Sequence, residues 1–271
     1  MRIKNHLIED SFDYRQNKTN CDLYDCIVSL GEINDYVTEI NERLYFDDAI
    51  LYEQEIITGV TLATWLWTEY RDGNNKEYKD LLEQILTKPT GKVYADFDTD
   101  IDVSLYPLEG YADTCTRYVE KRRGILAQIS DRSEFYDFLQ SCFIDSAFSL
   151  QTEAGLSTIS GFERHVKEIV DSLAVLNDEA VDLYYNHKTN LSLAFKTLSA
   201  KLLDCAPDPA NAHKLRFEFM KDNGESVTVE CSPHAKLIRK DSDLRIYFYW
   251  CHDEFGEGRK VLIGRIGVHP Y

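Results

Sequence analysis

The sequence predicts an α+β protein: a helical region to about residue 205, then a small, mostly antiparallel four-stranded sheet. Three observations predict it. Through most of the first 205 positions, apolar residues recur at three- and four-residue spacing, which places them on one face of a helix. From Leu215 the period changes to two. The charge changes with the period: residues 213–271 hold ten basic and nine acidic residues, whereas the first 212 hold 20 basic and 38 acidic. Residues 204–212, with Pro207 and Pro209, read as a linker between regions 1–205 and 213–271. It is short enough for the two to pack as one domain.

Each element has its own signal. Leu23, Ile27, Leu30, Ile33, Val37 and Ile40 predict an amphipathic helix over 22–42. Leu62, Trp65 and Trp67 predict a short helix over 61–71, broken by Asp72-Gly73-Asn74-Asn75. Tyr78, Leu81, Leu82, Ile85 and Leu86 predict its hairpin partner, stopped before Pro89. Residues 91–127 are irregular, with Val93-Tyr94 and 103–105 as short strands or extended loop. Asp131 and Glu134 fit a capping box ahead of Phe135, Phe138, Leu139, Cys142 and Phe143. Phe162, Val166, Ile169, Val170, Leu173 and Leu176 mark the next helix, and Asn190 can cap a last one through Leu202. In the tail, Leu215, Phe217 and Phe219 alternate with polar residues up to Asp222-Asn223-Gly224, a hairpin turn whose Asn and Gly accept positive φ. Leu244, Ile246, Phe248 and Trp250 alternate next, and 261–268 forms the final strand.

A chain of 271 residues that is 44% hydrophobic and 28% charged can build a packed core. Its net charge of −17 argues against non-specific nucleic-acid binding over the whole surface, but leaves room for a local basic site. No stretch approaches 18 apolar residues and the first 20 are polar, so no membrane partner is expected. Seven scattered cysteines fit reduced core thiols in the cytoplasm better than a disulfide framework. There is no P-loop, G-x-G-x-x-G, G-x-S-x-G, H-E-x-x-H or C-x-x-C, which disfavours an ATPase, a dehydrogenase and a serine hydrolase.

Three groups of residues have the means for chemistry. The first is basic and lies in the tail. Arg245 shares a strand face with Tyr247 and Tyr249, and strict alternation puts Arg265 with Val261, Ile263, Gly267 and His269. If these strands pair, Arg245, Arg265 and His269 converge on one surface, with Lys236, Arg239 and Lys240 just ahead of it. Guanidinium groups hold phosphate oxygens and a histidine or tyrosine moves the proton. The alternative is a solvated sheet face on which Arg and Tyr alternate because they tolerate water.

The segments Lys236-Leu237-Ile238-Arg239, Leu244-Arg245-Ile246-Tyr247-Phe248 and Val261-Leu262-Ile263-Gly264-Arg265-Ile266-Gly267-Val268-His269-Pro270-Tyr271 resemble the C-terminal sheet of the RelE/ParE toxin superfamily. The resemblance covers about 59 residues. It implies a metal-free endoribonuclease acting on RNA or the ribosome, with Arg245, Arg265, His269 and Tyr271 in phosphate-binding and proton-transfer roles. Lys236 and Arg239 would then contact RNA. The chain departs from that family in being about three times as long, acidic overall, and without its two amphipathic helices beside the sheet.

The second group is Cys231, His234, Cys251 and His252, which are zinc-type ligands, although neighbours on a strand point to opposite faces. The spacing favours buried thiols and ordinary histidines. The third is Asp96, Asp98, Asp100 and Asp102, which in extended geometry face one side and suit Mg²⁺ or Ca²⁺, or form a solvated acidic loop. The leading expectation is therefore a cytoplasmic toxin- or defence-type effector whose tail contacts and cleaves RNA without a cofactor. The alternative is a non-catalytic protein whose acidic helical body binds a protein partner.

Overall fold

The structure is a computed structural model that describes residues 1–68, 75–239 and 242–270. It is mixed α+β, and its chain divides into two compact units, Met1–Arg122 and Arg123–Tyr271. The division falls inside a helix rather than in the 204–212 stretch.

The first unit opens with strand β1 (Ile3–Leu7), followed by helix α1 (Leu23–Glu39), strand β2 (Leu44–Tyr45) and the one-turn helix α2 (Asp48–Leu51). Strands β3 (Glu55–Ile57) and β4 (Val60–Thr61) form a small hairpin leading into α3 (Leu62–Trp67). Helix α4 (Lys76–Thr87), strand β5 (Thr99–Val103) and helix α5 (Cys115–Leu126) complete it, the end of α5 belonging to the second unit. The order β2-β1-β5 is a parallel sheet within what reads from sequence as a helical region. Its signal is weak because the buried face of β1 is Ile3, Asn5 and Leu7, and Asn5 masks the alternation.

Asn5 is buried because it is fully bonded. Tyr118 Oη donates to Asn5 Oδ1 at 2.7 Å, and Asn5 Nδ2 donates to Glu42 at 2.8 Å. Arg122, with no exposed surface, clamps Glu42 with two bonds of 2.9 and 3.0 Å. A buried charge is tolerated only with such pairing. The network also explains why α5 is illegible in sequence: its inward face uses Tyr118 and Arg122 where a helix normally uses aliphatics. Val93-Tyr94 forms no strand, and 103–105 contributes only the end of β5. The 72–74 part of the expected breaker lies outside the described residues.

The second unit contains α6 (Arg132–Leu139), β6 (Ser146–Phe148), α7 (Thr152–Leu156), α8 (Val166–Asn186) and α9 (Leu191–Lys201). Strands β7 (Cys205–Ala206), β8 (Arg216–Met220), β9 (Ser226–Glu230), β10 (His234–Lys236), β11 (Leu244–Tyr249) and β12 (Val261–Val268) follow. Asp131 caps α6 by accepting from Glu134 N at 2.9 Å. Asn190 stands at the start of α9, but its side chain makes no capping bond.

The expected four-stranded tail sheet is two separate sheets. Hairpin β8–β9, turned at Gly224 (φ +83°), stands alone. The other three tail strands join a five-stranded sheet, β6-β12-β11-β10-β7, in which β6 runs parallel to β12 and the other pairs are antiparallel. Hydrophobic alternation specifies faces and not partners, so the strands from before residue 206 could not be read. The hairpin packs Phe217, Phe219, Val229 and Cys231 against Tyr247 and Leu262 of the larger sheet. On the opposite face, Trp250 stacks with Tyr184 of α8 and meets Phe195 of α9 edge-on. Both faces are thus covered, and each large side chain buried this way contributes roughly 1.5–3 kcal/mol.

Candidate functional site

The site begins with a bulge. Tyr247 pairs with Arg265 while Phe248 pairs with Ile263, so Gly264 is passed over. A Cβ on Gly264 would stand 2.4 Å from Phe217 and 2.9 Å from Cys231, so only glycine lets the hairpin pack down here. The extra residue reverses the alternation on part of β12. Arg265 therefore lies beside Tyr247 on the hairpin-covered face, and not with Val261 and Ile263 as strict alternation requires.

Tyr247, fully buried, is the hub. Its hydroxyl is hydrogen-bonded to His269 Nδ1, and the two rings stack with centroids 6.0 Å apart at 12°. On the other side, His234 of β10 faces it in register, with ring centroids 5.5 Å apart. Arg245 is two residues back along β11, and its charge acts on both histidines. Its Nη1 donates to the carbonyls of Ser242 and, at 3.0 Å, Leu244. Arg265 Nε donates to the Val268 carbonyl at 3.3 Å. The Arg265 stem runs close to Gly155 of α7.

Arg245, Arg265 and His269 are thus brought together around one tyrosine. The face they share is not the solvated one that alternation alone allows. Burial lowers the Arg265 pKa, and burial followed by the Arg245 charge lowers that of His269. His234 is only 9% exposed and its Nδ1 has no hydrogen-bond partner. Burial, then Arg245, pushes its pKa down to about 4, against a smaller opposing pull from Asp208. At neutral pH, His234 is therefore an uncharged ring inside the protein.

The expected RNA-contact residues are placed less favourably. Lys236 pairs with Asp204 at 3.1 Å. Arg239 is exposed, just after Ile238, whose φ of +73° is unusual for a β-branched residue. The Ile238 amide donates to the Glu168 carboxylate. Lys240 and Tyr271 lie outside the described residues.

The two metal candidates do not assemble. Among the described residues, no three His, Cys, Asp or Glu side chains are grouped as ligands. Cys231 is buried in the hairpin core, where burial raises its pKa, while Cys251 bonds with Tyr185 and His252 accepts from Glu254 N at 3.3 Å. All seven cysteines are free thiols. In the aspartate run, Asp96 and Asp98 pair with Arg2 at 3.1 and 3.5 Å, while Asp100 and Asp102 lie on β5.

Sequence reasoning places Tyr247 on the right face but gives it no role, and reads His234 as an ordinary histidine in preference to a zinc ligand. The missing signal was the register of β10, which puts His234 opposite Tyr247. No protein-family model matches the chain, and no curated protein or solved structure matches it either. No described helix is long and apolar enough to cross a membrane.

Proposed function

We propose that the second unit binds and cleaves RNA without a metal, as the working part of a toxin- or defence-type effector. The observation that carries this reading is the gathering of Arg245, Arg265 and His269 around Tyr247. With the proton on Nδ1 shared toward Tyr247, the neutral His269 imidazole is the group placed to take the proton of an RNA 2′-hydroxyl. The uncommitted nitrogens of Arg245 and Arg265 can hold the phosphate as charge develops on it. The 2′-oxygen then bonds to phosphorus, the bond to the 5′-oxygen breaks, and the leaving oxygen takes a proton from water. A 2′,3′-cyclic phosphate and a 5′-hydroxyl result.

The test is cleavage of end-labelled RNA in the presence of EDTA, together with growth and RNA integrity in an expressing bacterial host. Arg245→Met/Arg265→Met keeps the apolar stems, and His269→Gln keeps a polar ring-sized group. Each is expected to lower cleavage at least a hundredfold while leaving circular dichroism unchanged. Equal cleavage in all forms, or no cleavage by the intact chain, refutes the proposal.

A second reading, a protein-binding role for the first unit, is favoured by two side chains. Trp67 is 51% exposed and meets Tyr52 at a tilt of 46° with ring centroids 4.8 Å apart, and Ile50 is 48% exposed. It predicts a co-purifying partner that Trp67→Ser/Ile50→Ser releases.

A further inference from the structure

Hairpin β8–β9 leaves one of its two edges unfinished. Lys221 N donates to the Glu225 carbonyl and Cys231 N to the Leu215 carbonyl, each at 2.8 Å. Residues 225, 227, 229 and 231 therefore turn their backbone groups toward β8, while Ser226, Thr228 and Glu230 turn theirs outward. The outer edge of β8 is occupied: Glu218 O accepts from Leu150 N at 2.9 Å, and Glu218 N donates to Gln151 Oε1 at 3.0 Å. Nothing among the described residues bonds the outward backbone groups of Ser226, Thr228 and Glu230, and all three residues are exposed.

This open edge lacks the usual guards. Strand edges are commonly blunted by lysine, proline or a bulge. Ser226-Val227-Thr228-Val229-Glu230 contains neither residue, and its pairing with β8 runs without a shift of register. Its one charge, Glu230, stands at the end of the strand, opposite Arg216.

The charges of the hairpin show what fits this edge. A second copy laid parallel and in register sets Glu230 beside Glu230, and like charges directly opposite repel. An antiparallel copy centred on Thr228 removes the conflict. Ser226 of one copy then faces Glu230 of the other, Thr228 faces Thr228, and Val227 faces Val229. With β8 of each copy added, the end rows read Arg216, Glu230, Ser226, Met220, and the middle row reads Glu218, Thr228, Thr228, Glu218. No row sets like charges side by side, and each Glu230 keeps its Arg216.

We propose that this edge joins two copies of the chain, β9 pairing with β9 antiparallel about Thr228 in a four-stranded sheet of two-fold symmetry. Each of the three facing pairs exchanges two backbone bonds, about six in all. The partly buried Val227 gains cover from Val229 across the junction. The contact is small, so the dimer is a weak one. The proposal is independent of any activity of the second unit.

The experiment is sedimentation equilibrium of the full-length chain, joined to amide hydrogen exchange at low and high protein concentration. A dimer with a Kd of roughly 10–100 µM is expected. As it forms, the Ser226, Thr228 and Glu230 amides should slow, while those of Val227 and Val229, bonded to β8 in both states, stay protected. Thr228→Pro removes an outward N–H that the hairpin does not use, and should weaken the dimer at least tenfold with circular dichroism unchanged. Thr228→Lys and Thr228→Glu keep the test alive if proline disturbs the hairpin. Each alone should weaken the dimer, and a mixture should favour the mixed dimer about fivefold, because residue 228 faces itself. A chain still monomeric well above that concentration range, a dimer whose three outward amides exchange freely, or no preference in the mixture overturns the proposal.

Discussion

His234 makes the stability of the second unit fall in mild acid. The ordinary histidine pKa is 6.5, and in the folded chain burial and Arg245 bring it to about 4. The unfolded chain therefore takes up a proton at a pH where the native one does not. Above pH 6.5 neither state is protonated and His234 adds no slope. As the pH falls from 6.5 to 4, the unfolded state gains a proton alone, and native stability drops. Below 4 both states are protonated and the loss levels off. A depression of that size corresponds to about 3 kcal/mol. The assay is urea unfolding at pH 4, 5, 6 and 7, followed by hydrogen exchange of the Ile246 and Phe248 amides, which report the second unit. His234→Leu removes the titration and the unpartnered Nδ1, while the carboxylates other than Asp208, which acts on His234, titrate alike in both chains. The intact chain should lose about 3 kcal/mol relative to the variant between pH 7 and 4. Parallel curves, or a His234 ring resonance titrating near 6.5, would refute the reasoning.

Two further predictions concern packing. Gly264→Ala forces a methyl into Phe217 and Cys231 and should cost about 1–3 kcal/mol, read as a lower thermal midpoint. An unchanged midpoint would mean that the bulge is not a packing requirement. Arg122→Met strands the Glu42 carboxylate and should cost about 3–5 kcal/mol, part of which Arg122→Met/Glu42→Leu recovers. A double variant no better than the single one would show that the pair is not what is being lost.

The parts of the fold legible in sequence are those where one physical signal acts alone. Helices α1, α4 and α8 were readable because their inward faces are aliphatic at helical spacing. Hairpin β8–β9 was readable because alternation and a glycine turn agree. Strand β1 and helix α5 were not, because Asn5 and Arg122 satisfy their buried polar groups through partners distant in sequence. At the site, Arg245 and His269 could be placed near each other from strand order alone. The side of Arg265 could not, because a single bulged residue reverses it, and hydrophobic pattern carries no trace of a bulge.

The parallel pairing of β6 with β12 has a consequence for how the second unit forms. Ser146 meets Val261, so the contact closes a loop of more than a hundred residues, and β12 then sits between β6 and β11. Long-range pairings of this kind form late, because the loop must close before the contact rewards it. Until β12 is in place, β6 and β11 each present an open edge able to recruit a strand from another molecule. Assembly of this unit is thus a race between its own last strand and its neighbours. Dilution, lower temperature and chaperone supply should set the yield of folded protein more strongly than its equilibrium stability does.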